Sequence, residues 1–264
     1  MPTTWDHSSE EKFVEYYAEK SFLEEQLRHF RSVRDAILRV LPDSHTTGRK
    51  FDVLDVGCNA GGQCSVWAEQ GHKVHGLDVN GPLLEIAKKK AAEARKDIDY
   101  RLGSATELPW PDESMDICIA LELLEHVAPW EVCLQEFTRV LKPKGALFVS
   151  TTNTLCPVQQ EFNLAGYAWY PAPLKRHYER LAVTTRPELA NYAKYPAVNW
   201  FDPYGLRREL KRRGFSSLDR FDLVDVSSKG GVAKLVIGSI RALPPLRLLA
   251  HMCTPGTYLV GIKN

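Results

Sequence analysis

The stretch that most constrains this chain runs from Phe51 to Asn80, FDVLDVGCNAGGQCSVWAEQGHKVHGLDVN. A short apolar run, FDVLDV (51–56), enters a glycine turn; GQCSVWAEQG reads as a helix closed by Gly71, and KVHGLDV (73–79) as a second strand that stops at an acid. Two apolar strands joined by a helix make a βαβ unit, and such a unit is buried only within a parallel sheet covered by helices. The alternation continues with a helix at PLLEIAKKKAAEAR (82–95), strands at IDYRLGS (98–104) and MDICIAL (115–121), a helix at EVCLQEFTRVL (131–141) ended by Pro143, and a fifth strand at GALFVSTT (145–152). The pattern predicts a doubly wound α/β sheet whose ligand sits at the carboxyl ends of the strands.

The turn itself narrows the ligand. A dinucleotide fold needs G-x-G-x-x-G, in which the backbone approaches a pyrophosphate. Here the spacing is G-x-x-x-G over Gly57 and Gly61, with Asn59 in place of the middle glycine and Asp55 just before the turn. A carboxylate at that point repels a pyrophosphate and favours a cation such as an ammonium, while Asp78 suits a ribose diol. Both features point away from a nicotinamide dinucleotide.

At these residues the sequence resembles the class I S-adenosylmethionine-dependent methyltransferases. VLDVGCNAGG matches their first motif, GLDV their ribose-binding acid, GSATELPWPDESMDICIALELLEHV the segment from third to fourth strand, and VLKPKGALFVSTTN their fifth-strand motif. The resemblance covers roughly residues 50 to 153, and several ordered motifs are far more specific than one glycine turn. It implies a Rossmann-like fold with a seven-stranded, mostly parallel sheet flanked by helices, binding S-adenosyl-L-methionine. By the same resemblance Asp55, Gly57, Asn59 and Gly61 surround the methionyl part of the cofactor, and Asp78, followed by Val79, holds the ribose. Ser104 and Ala105 flank the adenine, and Leu121 or Glu122 lies below the sulfonium. Ser104 departs from the Asp that many relatives carry, which weakens the expected adenine contact.

The rest of the chain is expected to complete a single domain. Residues 1–50 form a helical cap, with Ser9 as N-cap and one helical run over 9–41 ended by Pro42; 51–152 form the cofactor core. Residues 153–200 form a lid rich in aromatic and basic residues, and 201–264 contribute a helix (203–215), a strand (217–226) and a last strand (256–264). Tyr167, Trp169, Tyr170, Tyr178, Tyr192, Tyr195, Trp200, Phe201 and Tyr204 interleave with Lys175, Arg176, His177, Arg180 and Arg186. This mixture fits either a pocket for a flat or glycosidic acceptor bearing an anionic group or a packed lid. Between the last two strands, 229–255 carries apolar residues among Lys234, Arg241 and Arg247 on two proline-broken turns. That segment suits a membrane surface, a partner chain such as a second copy in a homodimer, or the protein's own sheet.

Methyl transfer requires an aligned acceptor and, for a hydroxyl, a proton acceptor. Glu122, Glu125 and His126 in ALELLEHVAPWE lie where the fourth strand ends. His126 fits a scaffold residue or a general base; Glu122 is a second catalytic candidate; and the three together are candidate ligands for Mg²⁺. E-x-x-E-H followed by STTN also looks like the O-methyltransferases of ubiquinone biosynthesis, which implies methylation of a hydroxyl on a small-molecule or lipid-linked acceptor. A sugar hydroxyl and a non-catalytic cofactor-binding module are the alternatives. With 34 basic against 33 acidic residues no global field favours nucleic acid. Six cysteines without a CxxC pair fit a reducing compartment. The polar, acidic start and the absence of a long apolar run predict a cytoplasmic protein, with contact at a membrane periphery as the variant.

Overall fold

The computed structural model of the protein describes residues 11–41, 48–159, 161–190, 197–227 and 229–264. Ser9, Pro42, Tyr192 and Tyr195 lie outside the described residues. The helical run expected over 9–41 is two helices, α1 (Glu11–Lys20) and α2 (Glu24–Val40). The Ser21 hydroxyl donates to the Tyr17 carbonyl at 2.6 Å, and a serine that bonds its own helical ladder weakens the turn that follows. The break lets the backbone of Ser21 lie against Gly62, where a Cβ would stand 2.1 Å from the Ser21 carbonyl oxygen. Only glycine admits the cap this closely.

The core follows the predicted alternation: β1 (Asp52–Val56), α3 (Gly62–Ala68), β2 (Lys73–Asp78), α4 (Gly81–Glu93), β3 (Ile98–Leu102), β4 (Met115–Leu121), α5 (Trp130–Val140) and β5 (Leu141–Thr152). β5 starts earlier than expected because its pairing with β4 jumps from Leu141↔Met115 to Ala146↔Ile117. That bulge accommodates Pro143 and the left-handed Lys144.

After β5 come α6 (Ala172–Thr184) and α7 (Pro203–Arg212), then β6 (Phe215–Asp219), α8 (Arg220–Leu223), α9 (Gly231–Ala242), α10 (Pro244–Met252) and β7 (Gly256–Lys263). The strand expected over 217–226 stops at Asp219, whose side chain accepts from Phe221 and Asp222 backbone N–H groups while Asp222 answers in kind, a reciprocal helix cap. Two aspartates three residues apart carried that signal, and the apolar alternation concealed it. The segment 229–255 is a helix pair, split at Leu243 and Pro244, where turns were expected.

The seven strands run β3-β2-β1-β4-β5-β7-β6, with β7 antiparallel to both neighbours and the other pairings parallel. This is the mostly parallel, Rossmann-like sheet that the motifs imply. Successive strand residues point to opposite faces. Leu54, Val56, Cys118 and Ala120 therefore join α5 and α7 residues such as Phe137 and Leu210, while Val53, Ile117 and Ile119 join Val33, Ile37 and Trp67 on the other face. Each fully buried side chain of this size contributes about 1.5–3 kcal/mol. The order reverses between β1 and β4, opening a crevice at their carboxyl ends.

Candidate functional site

The crevice is a cavity of about 630 Å³. One end is the turn after β1. Gly57, in the left-handed region, donates its N–H to the Leu77 carbonyl at 2.7 Å, which binds the turn to β2. Asp78, at the end of β2, accepts from the Asn59 N–H through Oδ2 and the Asn80 N–H through Oδ1, both at 2.8 Å. The carboxylate lines the cavity, as a partner for a diol must. Burial raises Asp78 above the ordinary carboxyl range, and the backbone donors from Asn80 and Asn59 oppose that shift.

Asp55 ends deeper in the cavity, 2% exposed. Its Oδ2 accepts from the Cys64 thiol at 3.4 Å. Burial pushes its carboxyl up to about 7; the thiol contact opposes the shift and Asp78 adds to it. Beside it Gln63 is 2% exposed and lines the same cavity, yet neither atom of its amide has a hydrogen-bond partner. A buried orphan amide facing a cavity is the mark of a polar ligand. The charge and donor set therefore fit an amino acid at this end and a ribose at Asp78. Sequence reasoning missed Gln63, because a polar residue in the first turn of a helix reads as an ordinary helix start.

The structure brings Asp55, Gly57, Asn59, Asp78, Val79, Ser104, Ala105, Leu121, Glu122 and His126 to this one cavity. Gly61 is not on its wall. It stands in the left-handed region where a Cβ would meet the Tyr100 hydroxyl at 2.2 Å, so it serves close packing of the turn. The Ser104 hydroxyl shares a 2.7 Å hydrogen bond with Thr106.

The metal set expected at Glu122, Glu125 and His126 is not assembled, and among the described residues no three His, Cys, Asp or Glu side chains gather to hold a metal ion. Glu125 is fully buried and turned into the protein. Its Oε2 accepts from the Thr151 hydroxyl at 2.9 Å, and its carbonyl accepts from the Val198 and Asn199 N–H groups. Burial, aided by Glu122, holds its carboxyl well above the ordinary range, and a carboxylate turned into the core is badly placed to meet a hard cation. Its position is a clasp between β5 and the returning end of the segment 153–200.

Glu122 and His126 remain on the cavity wall. Glu122 takes a left-handed backbone, with its N–H on the Ser150 carbonyl at 3.0 Å. His126 Nε2 lies 4.0 Å from Glu125 Oε1. Opposite them, the cap helices supply Tyr17, Lys20, Gln26 and His29. Burial lowers His29 from the ordinary imidazole range, partly offset by Glu122. The sequence offered no signal for His29, which lies in a helix of ordinary amphipathic pattern.

Among the described residues, the aromatic and basic side chains of 153–200 do not line the cavity. Tyr167, Tyr170, Tyr178 and Trp200 pack with Phe162 in a cluster of their own, and Lys175 lies over the Trp200 ring at 4.4 Å. From this segment only Gln159 and Glu161, among the described residues, reach the cavity.

Residues 54–149 match the family described as a methyltransferase domain. Over these residues the chain is similar to a methyltransferase domain. Among curated proteins, the ubiquinone biosynthesis O-methyltransferase of Chelativorans sp. is 37% identical over 135 residues, 48% of this chain and 53% of that protein. The chain thus spans about half the length of the curated relatives it matches. An S-adenosylmethionine-dependent methyltransferase from Mesorhizobium loti superposes with a TM-score of 0.56 at 17% identity, covering 88% of this chain and 98% of that one. The [4+2]-cyclase SpnF does so with a TM-score of 0.56 at 20% identity, covering 92% and 84%. At these identities the structures show the shared fold.

Two outcomes follow from the methionyl end. Replacing Gln63 with Ala should weaken S-adenosylmethionine binding about fivefold, equivalent to roughly 1 kcal/mol for one hydrogen bond, and unchanged affinity by calorimetry would remove Gln63 from the site. Asp55 must ionise to meet an ammonium, so affinity should rise with pH up to about 7 and level off above it. The sign for the empty protein is opposite: a carboxyl raised by folding costs stability once ionised, so this contribution is lost as pH climbs from about 4 through 7. An affinity flat from pH 6 to 8 would contradict the pairing.

Proposed function

We propose that the protein transfers a methyl group from S-adenosyl-L-methionine to a hydroxyl of a small-molecule or lipid-linked acceptor. One observation carries this reading: a single cavity joins two buried carboxylates and an orphan amide, suited to the cofactor's polar ends, to a wall bearing Glu122 and His126. The curated O-methyltransferase relatives support an oxygen acceptor. The cofactor, when bound, supplies an electrophilic methyl on a sulfonium.

The chain's own residues have three tasks. Asp55, Gln63, Asp78 and the turn at Gly57 and Asn59 orient the cofactor, and Leu121 and Ala105 shape its apolar surroundings. The cap helices cover the cavity and exclude water. His126 takes the acceptor proton, with Glu122 beside it on the wall; imidazole basicity near neutrality suits this role.

Incubation with methyl-labelled S-adenosylmethionine and an extract of the source cells, followed by organic and aqueous partition, tests the reading. Label is expected in a small molecule, and in the organic phase if the acceptor is lipid-linked. Replacing His126 with Ala should then lower turnover at least about a hundredfold with cofactor affinity intact. Cofactor binding without label transfer would favour a non-transferring use of the fold, and full turnover in the His126 variant would sink its role as base.

A further inference from the structure

The helix pair between β6 and β7 has an exposed surface that neither the sheet nor the cavity uses. α9 buries no residue. Val232, Leu235 and Val236 are 80%, 71% and 51% exposed, and Leu243 and Leu249 carry the same surface onto α10 at 51% and 55%. A shallow apolar hollow formed by Val224, Val232, Val236 and Ile237 lies alongside. An exposed apolar surface of this continuity marks an interaction site.

Charge identifies the occupant. Residues 229–255 contain four cationic side chains, Lys229, Lys234, Arg241 and Arg247, and no Asp or Glu. The two arginines face inward. Arg241 donates to the carbonyls of Phe221, Asp222 and Val224, and Arg247 pairs with Asp219 and Asp222, so both fasten the helix pair to the end of β6. Lys229, just before α9, and Lys234, in its first turn, are exposed. Asp225 lies near Lys229 but pairs with Arg39 at 3.9 Å, so a two-fold dimer through this face would set lysine towards lysine with no carboxylate within the segment to answer. An anionic lipid surface answers the apolar area and the lysines together.

We propose that α9 and α10 dock the protein on an anionic lipid bilayer. Val232, Leu235, Leu243 and Leu249 enter the interfacial layer, and Lys229 and Lys234 sit among the headgroups. The chain that follows α10 leads to the cavity. Pro255 and Gly256, directly after α10, line it, and Asn153 Nδ2 donates to the His251 and Thr254 carbonyls at the α10 end. Docking does not depend on what the protein methylates. No described helix is long and apolar enough to cross a membrane, so the contact is peripheral.

Flotation of the full chain with phosphatidylcholine vesicles, with and without phosphatidylglycerol, tests this. Wild type should float with the anionic vesicles only. Replacing Leu235 and Leu249 with Glu should leave the protein in the soluble fraction, and replacing Lys229 and Lys234 with Gln should weaken partition roughly thirtyfold, at about fivefold per lysine. The substituted side chains are exposed, and unchanged melting curves and cofactor affinity in both variants separate lost docking from misfolding. Wild type remaining soluble with anionic vesicles overturns the proposal, as does equal flotation of wild type and both variants. Flotation independent of phosphatidylglycerol would overturn its electrostatic part. A dimer by light scattering that the Leu235, Leu249 variant dissolves, without flotation of wild type, would assign the surface to a second copy.

Discussion

The site depends on one buried carboxylate. Asp78 ends β2 and holds two loops at once, accepting from Asn59 in the glycine turn and from Asn80 at the start of α4. Burial alone disfavours its charge, and the two backbone donors offset part of that penalty. The same residue that shapes the cavity also lines it. Positioning and recognition are a single interaction, set by the parallel register that brings Asp78 level with Gly57.

The acceptor side is built differently. Glu125 is fully buried, and works through its carbonyl and its contact with Thr151 to hold the returning chain at Val198 and Asn199. Asn199 adds two further bonds to the Leu124 and Val127 carbonyls. This clasp fixes the turn that carries Glu122 and His126. A residue that looks like a metal ligand by spacing is here a structural acid, and the spacing does not distinguish the two because it says nothing of burial.

The sheet and the cofactor end were legible because their signals are local. Strand periodicity, the glycine turn and the acids that close β1 and β2 each act within a few residues. Signals that depend on distant partners were hidden. The break at Ser21 matters because Gly62 lies beneath it, Gln63 is informative only once its amide is seen to be unpartnered, and His29 reaches the cavity only through the packing of the cap. The aromatic richness of 153–200 expresses a small core of its own, which composition cannot tell from a binding pocket. The helix pair at 229–255 was visible as an apolar, basic stretch, but that its arginines face inward and its lysines outward required the fold.

Calorimetric titration of the wild-type protein with S-adenosylmethionine and, separately, with NAD tests the central claim most directly. Micromolar binding of S-adenosylmethionine at one site per chain and no detectable binding of NAD are expected, because a carboxylate at Asp55, just before the glycine turn, repels a pyrophosphate. Binding of NAD in preference to S-adenosylmethionine would contradict the claim.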